Sequence, residues 1–144
     1  MNEMILKFPA YSENEVFARN AVAAFLLPLN PSLSELSDVK TAVSEAVTNC
    51  IVHAYRGEEG WITLRCRTDG DTLFLEISDE GKGIENVEEA LQPFFTTLPS
   101  EERSGMGFTI MQTFMSAFSV RSVAGMGTTV SMNKVIGEQT RNVG

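Results

Sequence analysis

Residues 61–83 read WITLRCRTDGDTLFLEISDEGKG, and the fold is decided in this stretch. Ile62, Leu64 and Cys66 alternate with polar residues, and so do Leu73, Leu75 and Ile77. A period of two marks a strand with one buried face. Asp69-Gly70-Asp71, between the two runs, predicts a hairpin turn. The second run carries its apolar row on to Asp79. A carboxylate at the end of a core row needs a partner, because burying a charge without one is costly.

Working outward, Met4 to Phe8 reads as a short edge strand that Pro9 ends. Ser12-Glu13-Asn14-Glu15 fits a capping box. Val16, Phe17, Ala21, Ala24 and Phe25 follow at helical spacing, up to a stop at Pro28. With Phe17 and Ala21 toward the core, Arg19 lies about 200° from Phe17 and points to solvent. A second box, Ser32-Leu33-Ser34-Glu35, opens a longer helix whose apolar positions run from Leu36 through Val39, Val43, Ala46, Val47, Cys50, Ile51 and Ala54. Beyond the hairpin, Val87 to Leu91 predicts a short helix, and Phe94 to Ser104 an aperiodic mobile loop. Gly105-Met106-Gly107 leads into a helix over Phe108 to Met115. Phe118 to Val123 and Thr128 to Val135 predict two final strands around a Gly125-Met126-Gly127 turn. The expected organisation is one domain over residues 1–136, with a polar tail from 137 to 144.

Composition narrows the function classes. The 144 residues carry 11 basic and 19 acidic side chains, a net charge of −8. A nucleic-acid footprint needs a basic face, so direct nucleic-acid binding is not expected. No apolar run is long enough to span a membrane and no signal peptide opens the chain, which predicts a cytoplasmic protein. Cys50 and Cys66 form no CxxC pair, and His53 is the sole histidine. No zinc site is expected, and both cysteines read as small core hydrophobes.

Three patterns could carry chemistry. Glu45, Asn49 and His53 are spaced i, i+4, i+8, one polar line along the long helix. It is either a solvated face or a general base beside an amide oxygen able to hold Mg²⁺. Asp79-Glu80-Gly81-Lys82-Gly83 is a D-x-G-x-G pattern at a strand end. It is either an ordinary turn or a place where Asp79 accepts from a buried donor such as an adenine amino group, with glycines letting a flat ring approach. Arg103-Ser104-Gly105-Met106-Gly107 opens a helix, where backbone N–H groups bind anions. Neither the Walker A pattern nor the Rossmann GxGxxG is present.

Singly these signals are weak, but their order is specific. Acid and amide on a long helix, D-x-G-x-G after a hairpin, an aperiodic loop, a glycine pair opening a helix and Gly127-Thr128 at a strand start together resemble the GHKL ATPase superfamily, which includes gyrase, MutL and histidine kinases. Within it, EAVTN at 45–49, HAY at 53–55, PFFTT at 93–97 and ERSGMGFTIM at 102–111 are similar to the sporulation anti-sigma F factors. The resemblance covers about residues 3 to 133.

The resemblance implies an α+β fold of the Bergerat type, a two-layer α/β sandwich with helices on one face of a mixed, mainly antiparallel sheet. It implies a homodimer that binds sigma factor F, and an ATP-dependent serine kinase acting on an anti-anti-sigma protein of the SpoIIAA type. ATP or ADP and Mg²⁺ are the implied cofactors. Carried over, Glu45 is the general base and Asn49 the Mg²⁺ ligand. Asp79 binds the adenine amino group, with Gly81 and Gly83 beside the ring and Thr128 assisting. Ser104, Gly105 and Gly107 cradle phosphates, Arg103 neutralises the γ-phosphate, and Arg19 contacts partners. Leu98 stands where close relatives are expected to carry a lysine after the two threonines. Two alternatives remain open: a related stress-response anti-sigma serine kinase, and a nucleotide-gated anti-sigma module with little kinase activity.

Overall fold

The structure is a computed structural model that describes residues 1–92 and 107–137. Five strands form one sheet: β1 (Asn2–Pro9), β2 (Trp61–Asp69), β3 (Thr72–Asp79), β4 (Ala117–Val123) and β5 (Gly127–Val135). Their order across the sheet is β1-β2-β3-β5-β4, and all four pairings are antiparallel. Helices α1 (Ser12–Leu26), α2 (Leu33–Asn49) and α4 (Gly107–Phe114) form the second layer, with the short α3 (Val87–Ala90) at one end. Helix α2 is central, packing on α1 along one side and on α4 along the other. The α+β two-layer architecture is thus as expected, with β1 at the edge.

Register builds the site. One row across the sheet runs Leu6, Leu64, Ile77, Val130, Val120, and is apolar throughout. The next row runs Phe8, Ile62, Asp79, Thr128, Ser122. It begins apolar at the β1 edge and turns polar at β3, so a polar corner sits at one end of the core. A two-residue Gly70-Asp71 turn sets this register, since Asp69 pairs with Thr72. Gly70 takes a φ of 60°, the left-handed conformation such turns require.

Two expectations for α1 are corrected. Ser12 does not cap the helix: the N-cap is Tyr11, and no side chain caps it. Glu15 turns forward to Arg19, at 2.7 Å, and the Asn14 amide donates to the Pro9 carbonyl. The buried face is also different. Ala18, Val22 and Leu26 are inside, whereas Phe17 is 54% exposed and Val16 is 44% exposed. Apolar residues surround most of this helix, so spacing alone does not select a face.

The second capping box is present in full. Ser32 Oγ accepts from the Glu35 N–H at 3.0 Å, and Glu35 Oε1 accepts from the Ser32 N–H at 2.9 Å. Glu35 Oε2 also accepts from the Gly137 N–H at 2.8 Å, so the box ties the start of α2 to the chain just beyond β5. Gly137, expected in the tail, is therefore anchored; residues 138–144 lie outside the described residues. Burial pushes the Glu35 carboxyl up, but the Ser32 and Gly137 amides, the Ser32 hydroxyl and the Lys134 charge outweigh it and hold the carboxyl below its usual value. A depressed folded pKa contributes stability above the unfolded value that is lost as pH falls through the folded one. Glu35→Ala should cost about 2 kcal/mol at neutral pH, and less as pH falls below the ordinary carboxylate range. Urea unfolding at two pH values measures both; an equal loss at each would remove the charge from the explanation.

Candidate functional site

The polar corner opens into a cavity of about 520 Å³ between the C-terminal end of α2, the start of α4 and the ends of β3 and β5. Asn49, His53, Asp79, Gly83, Gly107 and Thr128 all line it. These residues come from distant parts of the sequence and were expected to share a site. Arg103, Ser104 and Gly105 lie outside the described residues, as do the 94–104 loop and Leu98.

Asp79 is at the centre. Its Oδ1 accepts from the Gly81 N–H at 2.9 Å and the Thr128 N–H at 3.2 Å. Only 9% of the residue is exposed. Burial pushes its carboxyl above the usual range, and the Gly81 amide, the Cys50 thiol and the Thr128 amide partly offset that. Thr128 Oγ1 is 2.8 Å from Ser122 Oγ, which also accepts from the Ile84 N–H at 2.7 Å. Ser122 thereby joins the loop after Gly83 to β4. It was not singled out from the sequence, although its register opposite Thr128 is the signal that could have found it.

The glycines of D-x-G-x-G are required by close approach. Gly83 has a φ of 73°, and a side chain there would run into the Val123 carbonyl. At Gly81 a Cβ would sit 2.5 Å from the Ala54 carbonyl oxygen. The loop is thus folded directly beneath the end of the long helix.

That helix end is not the uniform α-helix the periodicity suggested. After Asn49 the chain forms a π-turn over Cys50–Ala54, closed by the Tyr55 N–H on the Cys50 carbonyl at 3.0 Å. Such turns recur at functional sites. The Tyr55 hydroxyl donates to the Trp61 carbonyl at 2.6 Å and accepts from the Glu80 N–H at 2.7 Å. It therefore holds the π-turn, β2 and the residue after Asp79 together. Tyr55→Phe should cost about 1 kcal/mol in stability and weaken nucleotide binding a few-fold. Calorimetry alongside thermal unfolding checks this, and unchanged affinity would leave Tyr55 a purely structural link.

At the other side of the cavity, the first residue of α4 meets the end of α2. A Cβ on Gly107 would lie 3.1 Å from Asn49 Nδ2, 3.2 Å from Asn49 Oδ1 and 3.3 Å from Glu45 Oε2. Glu45 and Asn49 are thus brought together, as their i, i+4 spacing implied, at a glycine that allows close backbone approach. Lys82 also lines the cavity; burial and the Arg56 charge lower its pKa, against Glu85. Arg19 lies on α1, with its guanidinium on the Glu15 carboxylate.

The histidine kinase-like ATPase domain family matches residues 8–134. The anti-sigma F factor of Caldanaerobacter subterraneus subsp. tengcongensis is 57% identical over 136 residues, 94% of this chain and 95% of the relative. That of Anoxybacillus flavithermus is 54% identical over 134 residues, 92% of each chain. The chain belongs to the anti-sigma F factor family. Its cavity is accordingly the nucleotide site of a histidine kinase-like ATPase domain. Solved structures agree on the fold. The RsbU and RsbW domains of a Mycobacterium tuberculosis protein superpose with a TM-score of 0.67 at 16% identity, over 94% of this chain and 32% of that one. The catalytic domain of the histidine kinase ThkA does so with a TM-score of 0.58 at 15% identity, over 92% of this chain and 98% of that one. Among the described residues, no helix is long and apolar enough to cross a membrane.

Proposed function

We propose that this anti-sigma family member binds sigma factor F as a homodimer and, with Mg²⁺ and ATP, phosphorylates a serine of an anti-anti-sigma protein. The observation that carries the enzymatic part is the meeting of Glu45 and Asn49 at Gly107. Binding a nucleotide needs no base, whereas phosphoryl transfer to a hydroxyl uses one to accept the proton. In this reading Glu45 accepts the serine proton, and the Asp79 carboxylate takes the adenine amino group. The glycines at 81 and 83 leave room for the ring, and Thr128 holds the carboxylate through its amide.

The donor set fits Mg²⁺. Asn49 offers a hard amide oxygen in the cavity, and such an ion takes few protein ligands beside phosphates and water. When bound, the ion would neutralise phosphate charge. Arg103, Ser104, Gly105 and Gly107 are assigned to the phosphates by the family pattern. Incubation with labelled ATP and an anti-anti-sigma protein, with its phosphoacceptor serine present or replaced, tests the reading. Label on the serine supports it, whereas nucleotide and sigma binding without label supports a nucleotide-gated binder.

Arg19 is assigned to partner contact. Its side chain is 35% exposed, and Val16, one turn before it, is also exposed. The Glu15 pair gives it a local role that solvent exposure alone did not suggest, worth roughly 0.3–0.5 kcal/mol for an i, i+4 pair. Arg19→Ala should therefore lower stability only slightly and weaken sigma or anti-anti-sigma binding by about 1–2 kcal/mol. Titrations with each partner measure it; normal affinity for both would place the docking surface elsewhere.

A further inference from the structure

Cys50 stands apart from an ordinary core cysteine. It is the first residue of the π-turn, it is 5% exposed, and it lines the same cavity as Asp79. Its thiol hydrogen-bonds to the Asp79 carboxylate. Cys66, by comparison, sits mid-strand in the apolar row with Leu75 and Met132 and lies outside this cavity's lining.

We infer that Cys50 is a positioning residue for base recognition, its S–H holding the Asp79 carboxylate in the orientation that accepts an exocyclic amino group. The inference rests on the adenine-nucleotide reading above and adds to it the residue that sets its base selectivity. Asp79 Oδ1 is already engaged by the Gly81 and Thr128 amides, both of which come from the sheet side and the loop. The thiol approaches from the helix layer, so the carboxylate is braced from two layers of the fold. A carboxylate fixed on both sides presents its acceptor lone pairs in one direction, and directional acceptance separates a base bearing an amino group from one bearing a carbonyl.

Burial, the Asp79 charge and the hydrogen bond to Asp79 all push the Cys50 thiol well above its usual pKa, so it stays protonated and acts as a donor. The π-turn supplies the geometry. One extra residue in the turn displaces the backbone relative to a regular helix, and it does so at the position that delivers the thiol.

The test compares ADP with inosine diphosphate, which carries a carbonyl where adenine carries the amino group. Affinities are measured calorimetrically for the full-length protein and for Cys50→Ser, Cys50→Ala and Cys50→Val, each with its melting temperature. The unmodified protein should prefer ADP by tenfold or more, on the order expected when a polar site loses its partner. Cys50→Ser, which keeps a donor, should retain that preference. Cys50→Ala and Cys50→Val should each lose roughly three- to tenfold of it, through weaker ADP binding with inosine diphosphate affinity unchanged. The valine variant keeps the volume filled, so a loss shared by alanine and valine is not a cavity effect. If alanine and valine weaken both nucleotides equally, or keep the full preference, Cys50 is a packing residue and the inference fails. An unmodified protein that binds ADP no better than inosine diphosphate would instead overturn the adenine reading itself.

Discussion

Glu45→Gln should reduce phosphoryl transfer to the anti-anti-sigma serine by roughly 10²–10⁴-fold while leaving ADP affinity within about twofold. Gln has the size and shape of Glu, so the packing of the α2 end against Gly107 is preserved. What disappears is the ability to accept a proton from the attacking hydroxyl. The half-buried Glu45 carboxylate belongs to the end of α2, beside the Asn49 amide, and does not line the part of the cavity around Asp79. Base recognition and proton transfer are therefore about different residues at opposite sides of one site. Single-turnover transfer of labelled phosphate, run beside ADP calorimetry, separates them. If the glutamine variant transfers phosphate at the normal rate, the proton goes to another group. If ADP affinity collapses as well, Glu45 supports the nucleotide site and is not its base.

Much of this site is legible because strand alternation has no competing explanation. Leu73, Leu75, Ile77 and Asp79 must share a face once the hairpin forms, and they do. The hairpin turn fixes the register to β2, and the next turn, at Ala124 to Met126, brings Thr128 opposite Asp79. Helices are less determinate. Along α1 the set Val16, Phe17, Ala21, Ala24 and Phe25 is as regular as Ala18, Val22 and Leu26, yet only the second is buried. Residues spaced three or four apart can be chosen in more than one way when apolar side chains ring the helix. The π-turn was not legible because its cause is tertiary. The Ala54 carbonyl accepts from the Lys82 N–H at 3.2 Å, a contact between segments far apart in sequence. Cys50 and Ser122 were passed over for the same reason. A cysteine in an apolar pattern and a serine in a strand acquire meaning only through Asp79 and Thr128, which stand beside them after folding.

Asp79→Asn should weaken ADP binding by about 2–3 kcal/mol, or roughly 30- to 100-fold, because it leaves a buried donor facing a donor. The Asn oxygen can keep the Gly81 and Thr128 amides that now share Oδ1. That choice turns the amide nitrogen toward the position where the carboxylate would accept from the adenine amino group. Rotating the amide repairs the base contact only by setting its NH₂ against two backbone N–H groups. Either orientation leaves one mismatch in a place that is 9% exposed, where water cannot relieve it. The acid response separates this from a general loss of fit. Burial holds the Asp79 carboxyl above its ordinary value despite the Gly81, Cys50 and Thr128 donors, so it takes up a proton earlier in acidification than a solvated aspartate. Protonation removes the acceptor, so ADP affinity of the unmodified protein should fall as pH drops through that raised value. For the protein alone the sign is opposite: an acid whose folded pKa is raised costs stability when ionised, and that cost is relieved over the same pH range. Asn does not titrate, so the variant should bind ADP weakly but with this acid limb absent. Calorimetry across mildly acidic pH reads both features. If the asparagine variant binds ADP at normal strength, or keeps the acid limb, the carboxylate at residue 79 is not the group that holds the base.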